Sequence, residues 1–555
     1  VCSGLFDHTV GVEKITRLYP AERQQGVGCR METFPWFWVC DSRFRPKFSV
    51  LTLALLLGWL SAEARAATPD RPNVVYILAD DLGYGDLRCL NPEGKILTPH
   101  LDRLASRGMR FTDAHSGSAV CTPTRYGILT GRYAWRSRLK KGVLGGISPA
   151  LIESERLTVA SLLKKQGYRT ACVGKWHLGL DWAKNKEIEI GDVVEPKNKM
   201  DAIDYARPIT QGPLNLGFDS FFGITASLDM WPYAYIRDDR TVGLPTVTKT
   251  IVRTGPATPD FEAVEVLPRL TDEAVNVVEG YGKEPDKGPF FLYFPLPAPH
   301  APVVPDKTFQ GKSGIAPYAD FVMQVDATVG RIVEALERSG QADTTLLIFT
   351  SDNGCSPTAD FPTLARHGHN PNGRFRGHKA DIFEGGHRVP FLAVWPGKIQ
   401  PGSTCDDTIC LTDLMATCAE IVGQPLPPNA GEDSVSLLPD FLGTAKGPIR
   451  EATVHHSING SFGIRQGPWK LALCPDSGGW SSPRPGRNEA KGLPSTQLFN
   501  LDDDLGEQRN VQAEHPEVVA RLTALLERYI SEGRSTPGPA QHNQGKVDLH
   551  PKTSN

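Results

Sequence analysis

The segment NVVYILADD, residues 73–81, holds six consecutive apolar residues after an asparagine and closes on two adjacent carboxylates. An unbroken apolar run has no polar face, so it predicts a strand covered on both sides, as in a parallel sheet between helical layers. TACVG (170–174), FFLYFPL (290–296), TLLIFT (345–350) and PFLAVWP (390–396) share that texture. Between them lie helical patterns, TPHLDRLASRGMRF, TVASLLKKQGY and YADFVMQVDATVGRIVEALERSG. In the last, Phe321, Val325, Val329, Ile332, Val333 and Leu336 fall on one stripe. Strands alternating with helices predict an α/β fold, a large, mostly parallel sheet flanked by helices.

Outward from this sheet the texture changes twice. From about residue 183 to 285 it is polar and rich in Gly and Pro, and is expected to be a long excursion around the rim of the site. Beyond about 445, SFGIRQGPWKLAL reads as a hairpin, TQLFNLDDDLGEQRN as a strand entering a loop, and PEVVARLTALLERYISEG as an amphipathic helix. The expected organisation is a catalytic domain over 67–445, a smaller C-terminal α+β subdomain over 446–533, and a disordered polar tail from 534 to 555. Asp502, Asp503 and Asp504 read as a solvated acidic loop and not as a metal site.

The chain has 555 residues, too many for one ordinary core. Its formal net charge of -3 excludes general nucleic-acid or anionic-membrane binding, so any anion site must be local. Residues 1–66 read as a leader: Arg45 and Lys47, an apolar run from Val50 to Leu60, then Ala64-Arg65-Ala66, the three parts of a secretory signal. The run is short for a bilayer, so a secreted or periplasmic protein is expected, without stable membrane insertion after cleavage. Because the chain opens on Val1 and carries Met31 inside, residues 1–44 are expected to be an over-extended frame. Of 11 cysteines, Cys2, Cys29 and Cys40 lie in the leader. The rest are too few for a disulfide scaffold, although Cys405 and Cys410 are spaced to close a small loop.

In open α/β sheets ligands bind beyond the carboxyl ends of the strands. There stand Asp80-Asp81 after the first run, Lys175-Trp176-His177 after the second, His300 after the third and Ser351-Asp352-Asn353-Gly354 after the fourth. Carboxylates with an amide oxygen are hard ligands suited to Ca²⁺ or Mg²⁺. Lysine and histidine beside them would surround an anionic ester, sulfate or phosphate. Neither HExxH nor a Walker-type loop is present, which leaves zinc proteases and P-loop enzymes unsupported. SGSAVCTPTRYGILTGR, residues 116–132, adds Cys121 at the start of a predicted helix. A helix N-terminus lowers a thiol's pKa and attracts anions, and Arg125 one turn in could grip a tetrahedral oxyanion with two donors.

CTPTR followed by LTGR resembles the signature of the type I sulfatases, and ILADDLGYGD, GKWHLG, PHAP, SDNG and GHKADIFEGGHRVP resemble the other family blocks in their order. The resemblance runs from about 71 to 515 and implies an alkaline-phosphatase-like fold and sulfuric ester hydrolysis of a sulfated carbohydrate or aryl sulfate. It also implies that a formylglycine-generating maturation enzyme oxidises Cys121 to formylglycine (3-oxoalanine). One hydroxyl of the hydrated aldehyde would attack sulfur and the other would expel sulfate. By the same resemblance Asp80, Asp81, Asp352, Asn353 and position 121 would hold Ca²⁺. Arg125 and His177 would orient the hydrate, with His177 as base. Lys175, Ser227, His300 and Lys379 would bind sulfate, with His300 or Lys379 protonating the leaving oxygen. Lys379 is chosen from a basic loop by its spacing to EGG; Arg374, Arg376, His378, His367 and His369 remain candidates for sugar contacts. Two alternatives stand: a phosphodiesterase or phosphonate monoester hydrolase of the same superfamily, and a non-catalytic binder of sulfated glycans if Cys121 is not matured.

Overall fold

The apolar run at 73–80 lies inside a ten-stranded sheet. The computed structural model describes residues 71–185, 189–192 and 199–551, so the signal-like leader lies outside the described residues. In chain order the strands are β1 (Asn73–Asp80), β2 (Met109–Phe111), β3 (Arg169–Lys175), β4 (Ser220–Ile224), β5 (Ile236–Arg237), β6 (Arg240–Thr241), β7 (Phe290–Pro299), β8 (Thr345–Ser351), β9 (Phe391–Val394) and β10 (Ser403–Cys405). Across the sheet they run β10-β2-β9-β8-β1-β7-β3-β4-β5-β6. The five from β8 to β4 are mutually parallel. Every residue of β1, β7 and β8 is buried, which is why these segments show no polar alternation.

PFLAVWP departs from the parallel expectation: β9 pairs antiparallel with both β8 and β2. An interior strand is apolar on both faces whichever way it runs, so composition does not report its direction.

The main helices are α1 (Pro99–Arg107), α2 (Cys121–Thr130), α3 (Val159–Lys165), α4 (Ala263–Gly282), α5 (Pro317–Arg338) and α6 (Pro516–Ser531). α5 packs against both α1 and α4, while α2 and α3 each pack on the helix Leu414–Ile421. Within 183–285, expected to be a long excursion around the rim, stand two regular elements, α4 and β4. α4 buries Val266, Leu267, Leu270, Ala274 and Val278, but Pro268 inside it reads as a helix breaker. β4 is only five residues long and stands between polar turns.

Four further strands, β11 (Thr453–His456), β12 (Phe462–Gln466), β13 (Trp469–Ala472) and β14 (Gln497–Asn500), form an antiparallel sheet in chain order. α6 packs on β12 and β13, around Ile464, Leu471, Leu522 and Leu526. Over its described part the tail makes hydrogen bonds back to two buried arginines. Arg132 donates to the His542 carbonyl at 2.8 Å, Arg136 to Asn543 Oδ1 at 3.0 Å, and Gln544 N–H to the Arg136 carbonyl at 2.6 Å. Arg132 and Arg136 are buried, and tail oxygens are among the acceptors that satisfy their guanidinium donors. Cys405 and Cys410 are free thiols, as are the other six cysteines among the described residues.

Candidate active site

Strand register gathers the polar groups. Asp80 pairs beside Pro299 of β7, Ala79 beside Ser351 of β8, and Lys175 beside Ile224 of β4, so five parallel strands end together. Lys175 Nζ donates to Asp80 Oδ2 at 2.6 Å. Arg125, in the first turns of α2, directs Nε and Nη2 to Asp352 Oδ2 at 3.0 and 2.7 Å and Nη1 to the Lys175 carbonyl at 3.0 Å. Its Nη2 stands 3.6 Å from Asp80 Oδ1. Asn353 Nδ2 donates to Asp81 Oδ1 at 2.7 Å, and Lys379 Nζ lies 2.7 and 2.8 Å from the two Asp81 oxygens. His300 Nε2 is 3.6 Å from Asp81 Oδ2, while its Nδ1–H donates to the Ala301 carbonyl at 2.6 Å. Every one of these side chains is buried.

Cys121 is the first residue of α2 and is buried among these groups. Burial pushes its thiol pKa up, against the opposing pull of Lys175 and Lys379. The helix-terminus effect expected from sequence is therefore overridden, and the unmodified side chain rests as a neutral thiol. His177 Nε2–H donates to the Leu144 carbonyl at 2.8 Å, leaving Nδ1 buried and without a hydrogen-bond partner. Burial, and then Lys175, hold its pKa well below the ordinary histidine range, so the ring is neutral with a free lone pair. Burial works to raise Asp80, but Lys175, His300 and Arg125 hold its carboxyl well below the usual range. Its neighbour Asp352 is pushed up to about 7 by burial and by the Asp80 charge.

Three non-glycine residues here have a left-handed backbone: Asp81 (φ 67°), His177 (φ 54°) and Ala380 (φ 82°), the last beside Lys379. Such conformations cost on the order of 1–3 kcal/mol each and persist where surroundings over-determine them. Two buried oxygens, Asp80 Oδ1 and Asn353 Oδ1, have no hydrogen-bond partner. Orphaned hard oxygens beside Asp81 and Asp352 fit a divalent cation with oxygen ligands.

Ser227 follows β4, two residues beyond Thr225, whose carbonyl accepts the His177 N–H at 2.9 Å. Its Oγ and that of Thr225 are buried without partners among the described residues. Thr225 carries no motif that would mark it in the sequence. The other basic residues separate sharply from Lys379. His369 is buried and bonds Asp86 Oδ1 at 2.9 Å, so it is not a sugar contact. Arg376 bonds the Glu507 carbonyl and lies 3.8 Å over the Phe383 ring, a packing role. The His378 ring lies 5.4 Å from that of Phe361 at a tilt of 53°, and His367 and Arg374 are exposed.

The sheet with its hard ligands at the carboxyl edge places the chain among hydrolases of the alkaline-phosphatase-like fold. Residues 72–424 match the family described as Sulfatase. An N-acetylgalactosamine-6-O-sulfatase of Bacteroides thetaiotaomicron is 34% identical over 503 residues, 82% of this chain and 93% of that protein. Human arylsulfatase A is 33% identical over 520 residues, 89% and 94% of the two chains. A solved B. thetaiotaomicron sulfatase, from a study of glycosaminoglycan metabolism, superposes with a TM-score of 0.71 at 33% identity, covering 83% of this chain and 99% of that one. The chain belongs to the sulfatase family, and its reaction is the hydrolysis of sulfate esters.

Proposed function

We propose that this sulfatase removes sulfate from a sulfated carbohydrate, using a formylglycine made from Cys121 and a bound Ca²⁺. Support for the substrate class comes from the name of the bacterial relative, which makes N-acetylgalactosamine 6-sulfate the first sugar to test. Among the described residues no helix is long and apolar enough to cross a membrane. Export to the periplasm or medium is proposed from the leader alone.

The observation that carries the reading is the pairing of cations with carboxylates around position 121: Lys175 on Asp80, Lys379 on Asp81 and Arg125 on Asp352. Each of the three carboxyl groups has a fixed cation against it, so a divalent ion held by Asp80, Asp81, Asp352, Asn353 and position 121 would leave the site positive toward an anionic ester. The formylglycine hydrate supplies the nucleophile and the internal group that later expels sulfate. Around it this chain's residues divide the work. Arg125, rigid through its bonds to Asp352 and the Lys175 carbonyl, orients position 121. His177 offers its unpartnered Nδ1 as the base, the Leu144 carbonyl fixing the tautomer. Lys175, Lys379 and Ser227 bind sulfate oxygens, the Ser227 hydroxyl being free to donate. His300, its Nδ1–H committed to Ala301, would protonate the leaving oxygen from Nε2 as the imidazolium, and Lys379 is the alternative donor.

The test is ion chromatography of sulfate and phosphate released from matched aryl esters and from N-acetylgalactosamine 6-sulfate. The protein is co-produced with a formylglycine-generating enzyme, and Cys121→Ala is run beside it. Sulfate release that disappears in the variant is the expected result. Phosphate release alone moves the chain to the phosphoester branch. Absence of an aldehyde at position 121 in an active preparation removes the formylglycine proposal.

A further inference from the structure

An open cleft of about 610 Å³ lies where the C-terminal subdomain meets the loop after β8, lined among others by Ser356, Thr358, Asn459, Trp480, Arg484 and Arg487. That is the size of a ligand site. It adjoins the reaction centre through the backbone. Lys379 N–H donates to the Cys355 carbonyl at 3.0 Å, Ile458 N–H to the Ala380 carbonyl at 3.0 Å, and Ala380 N–H to the Ala119 carbonyl at 2.8 Å. The cleft residues Ser356 and Ile458 are therefore one step from the segment that carries Lys379, and Ala119 is two residues from position 121.

Three features of its wall point to a ligand. Trp480 is 38% exposed and is the one aromatic among the exposed large hydrophobic side chains of the described residues. Its loop is held firmly, because the buried Asp381 Oδ1 accepts from Trp480 N–H at 2.7 Å and Ser481 N–H at 3.0 Å. Asn459 Oδ1 accepts from Ser457 Oγ, Ser461 Oγ and Ser461 N–H at 2.6, 2.9 and 3.1 Å, which fixes the amide and leaves Nδ2 buried with no partner. Arg484 is anchored by Nε to the Trp480 carbonyl at 2.6 Å, and both it and Arg487 are exposed. Glu489, accepting from Ser482 Oγ and Arg484 N–H, offsets one of the two charges. A presented indole, a pre-oriented amide donor and a guanidinium pair suit a sugar ring bearing a carboxylate or sulfate.

We infer that this cleft is a subsite for a neighbouring anionic sugar, so that the substrate is an acidic oligosaccharide and not an isolated sulfated monosaccharide. Trp480 stacks on the ring, Asn459 Nδ2 donates to it, and Arg484 with Arg487 binds its acidic group. This rests on the glycan sulfatase reading above.

The experiment has two readouts: turnover by the matured enzyme, and calorimetric binding to Cys121→Ala, whose cleft is intact. Both use a chondroitin 6-sulfate tetrasaccharide, with an aryl sulfate as the small comparison for turnover. Trp480→Ala, Asn459→Ala and Arg484→Ala/Arg487→Ala are each expected to lose roughly tenfold or more in tetrasaccharide kcat/KM and binding, with aryl sulfate turnover unchanged within about twofold. Trp480→Phe should recover most of the loss, which a folding defect would not allow. Equal effects on both substrates, or tetrasaccharide binding unchanged in all three variants, overturn the subsite. Tetrasaccharide binding that depends on Trp480, in a protein that releases no sulfate from any ester, retains the subsite and rejects the function above.

Discussion

Arg125 is wholly buried, and its three bonds tie two parts of the site together: Asp352 through Nε and Nη2, the end of β3 through Nη1. Lysine has one compact charge and cannot reproduce that fork. Arg125→Lys is expected to fold but to lose on the order of 10²-fold in kcat on an aryl sulfate, as loss of a positioned charge in a water-excluded site generally does. A kcat within threefold of the parent enzyme would mean that Arg125 is structural only. Lys379 and Arg376 make a sharper contrast, three residues apart in one loop. Lys379 Nζ sits on Asp81, whereas Arg376 serves Glu507 and Phe383. Lys379→Ala should therefore depress kcat/KM by about 10²-fold or more. Arg376→Ala should lower the melting temperature and leave aryl sulfate kinetics unchanged. Steady-state kinetics with thermal unfolding on both variants separates the roles.

At the scale of the element, α2 carries Cys121 at its first residue and stops at Gly131, whose φ of 63° is a left-handed cap with N–H bonded to the Gly127 carbonyl. A Cβ there would come within 2.8 Å of Met415 Cβ and 2.9 Å of the Gly431 Cα. Gly131→Ala is thus expected to destabilise by roughly 2–4 kcal/mol, combining the left-handed penalty with overpacking. Urea unfolding measures it, and a loss under about 0.5 kcal/mol would show that the helix end shifts freely. Strand ends made much of the site legible beforehand. Apolar runs at 73–79, 170–174, 290–296 and 345–350 each delivered their polar successors to one edge. What stayed hidden was set by packing. The five-residue β4 has too little pattern to announce itself, so Ser227 had no visible strand behind it and Thr225 no signal at all. Lys379, Arg376 and His378 are alike as sequence, and the contacts each side chain makes depend on loop geometry such as the left-handed Ala380. Burial, which no local sequence feature encodes, reversed the expectation for the Cys121 thiol.

At the scale of the whole molecule, a buried histidine cluster outside the candidate active site ties the four-stranded sheet to the segments that follow β2 and precede β9. His115 ends the short strand Ala114–His115, His387 ends the short helix Glu384–His387, and His455 lies in β11. The His387 and His455 rings stack at 3.8 Å, and His115 Nδ1 lies 3.0 Å from His387 Nδ1. His387 Nε2 lies 3.0 Å from Lys470 Nζ and 3.1 Å from the Ile382 carbonyl, while its Nδ1 faces that of His115. His455 Nδ1–H faces the Ser116 carbonyl at 3.3 Å, and its Nε2 has no partner. Facing the cluster are Asp113, Glu384 and Glu507 and, against them, Arg388, Arg465 and Lys470. Burial pushes His115 down to about 4, and burial with neighbouring rings and Lys470 holds His387 and His455 well below the ordinary range. A folded-state histidine pKa below its unfolded value of about 6.5 means that the unfolded chain binds the proton first, so stability is present above that pH and drains as pH falls. Glu507, pushed up to about 7 by burial, acts in the opposite direction over part of the same window. The clean measurement is therefore a difference. From pH 7.5 to pH 5, His455→Phe should gain about 2 kcal/mol of stability relative to the parent protein, the linkage expected of one buried neutral histidine over about 1.5 pH units. Urea unfolding at the two pH values reads it. A difference that stays constant would mean that His455 takes up a proton without resistance, and that the histidine cluster does not oppose acid.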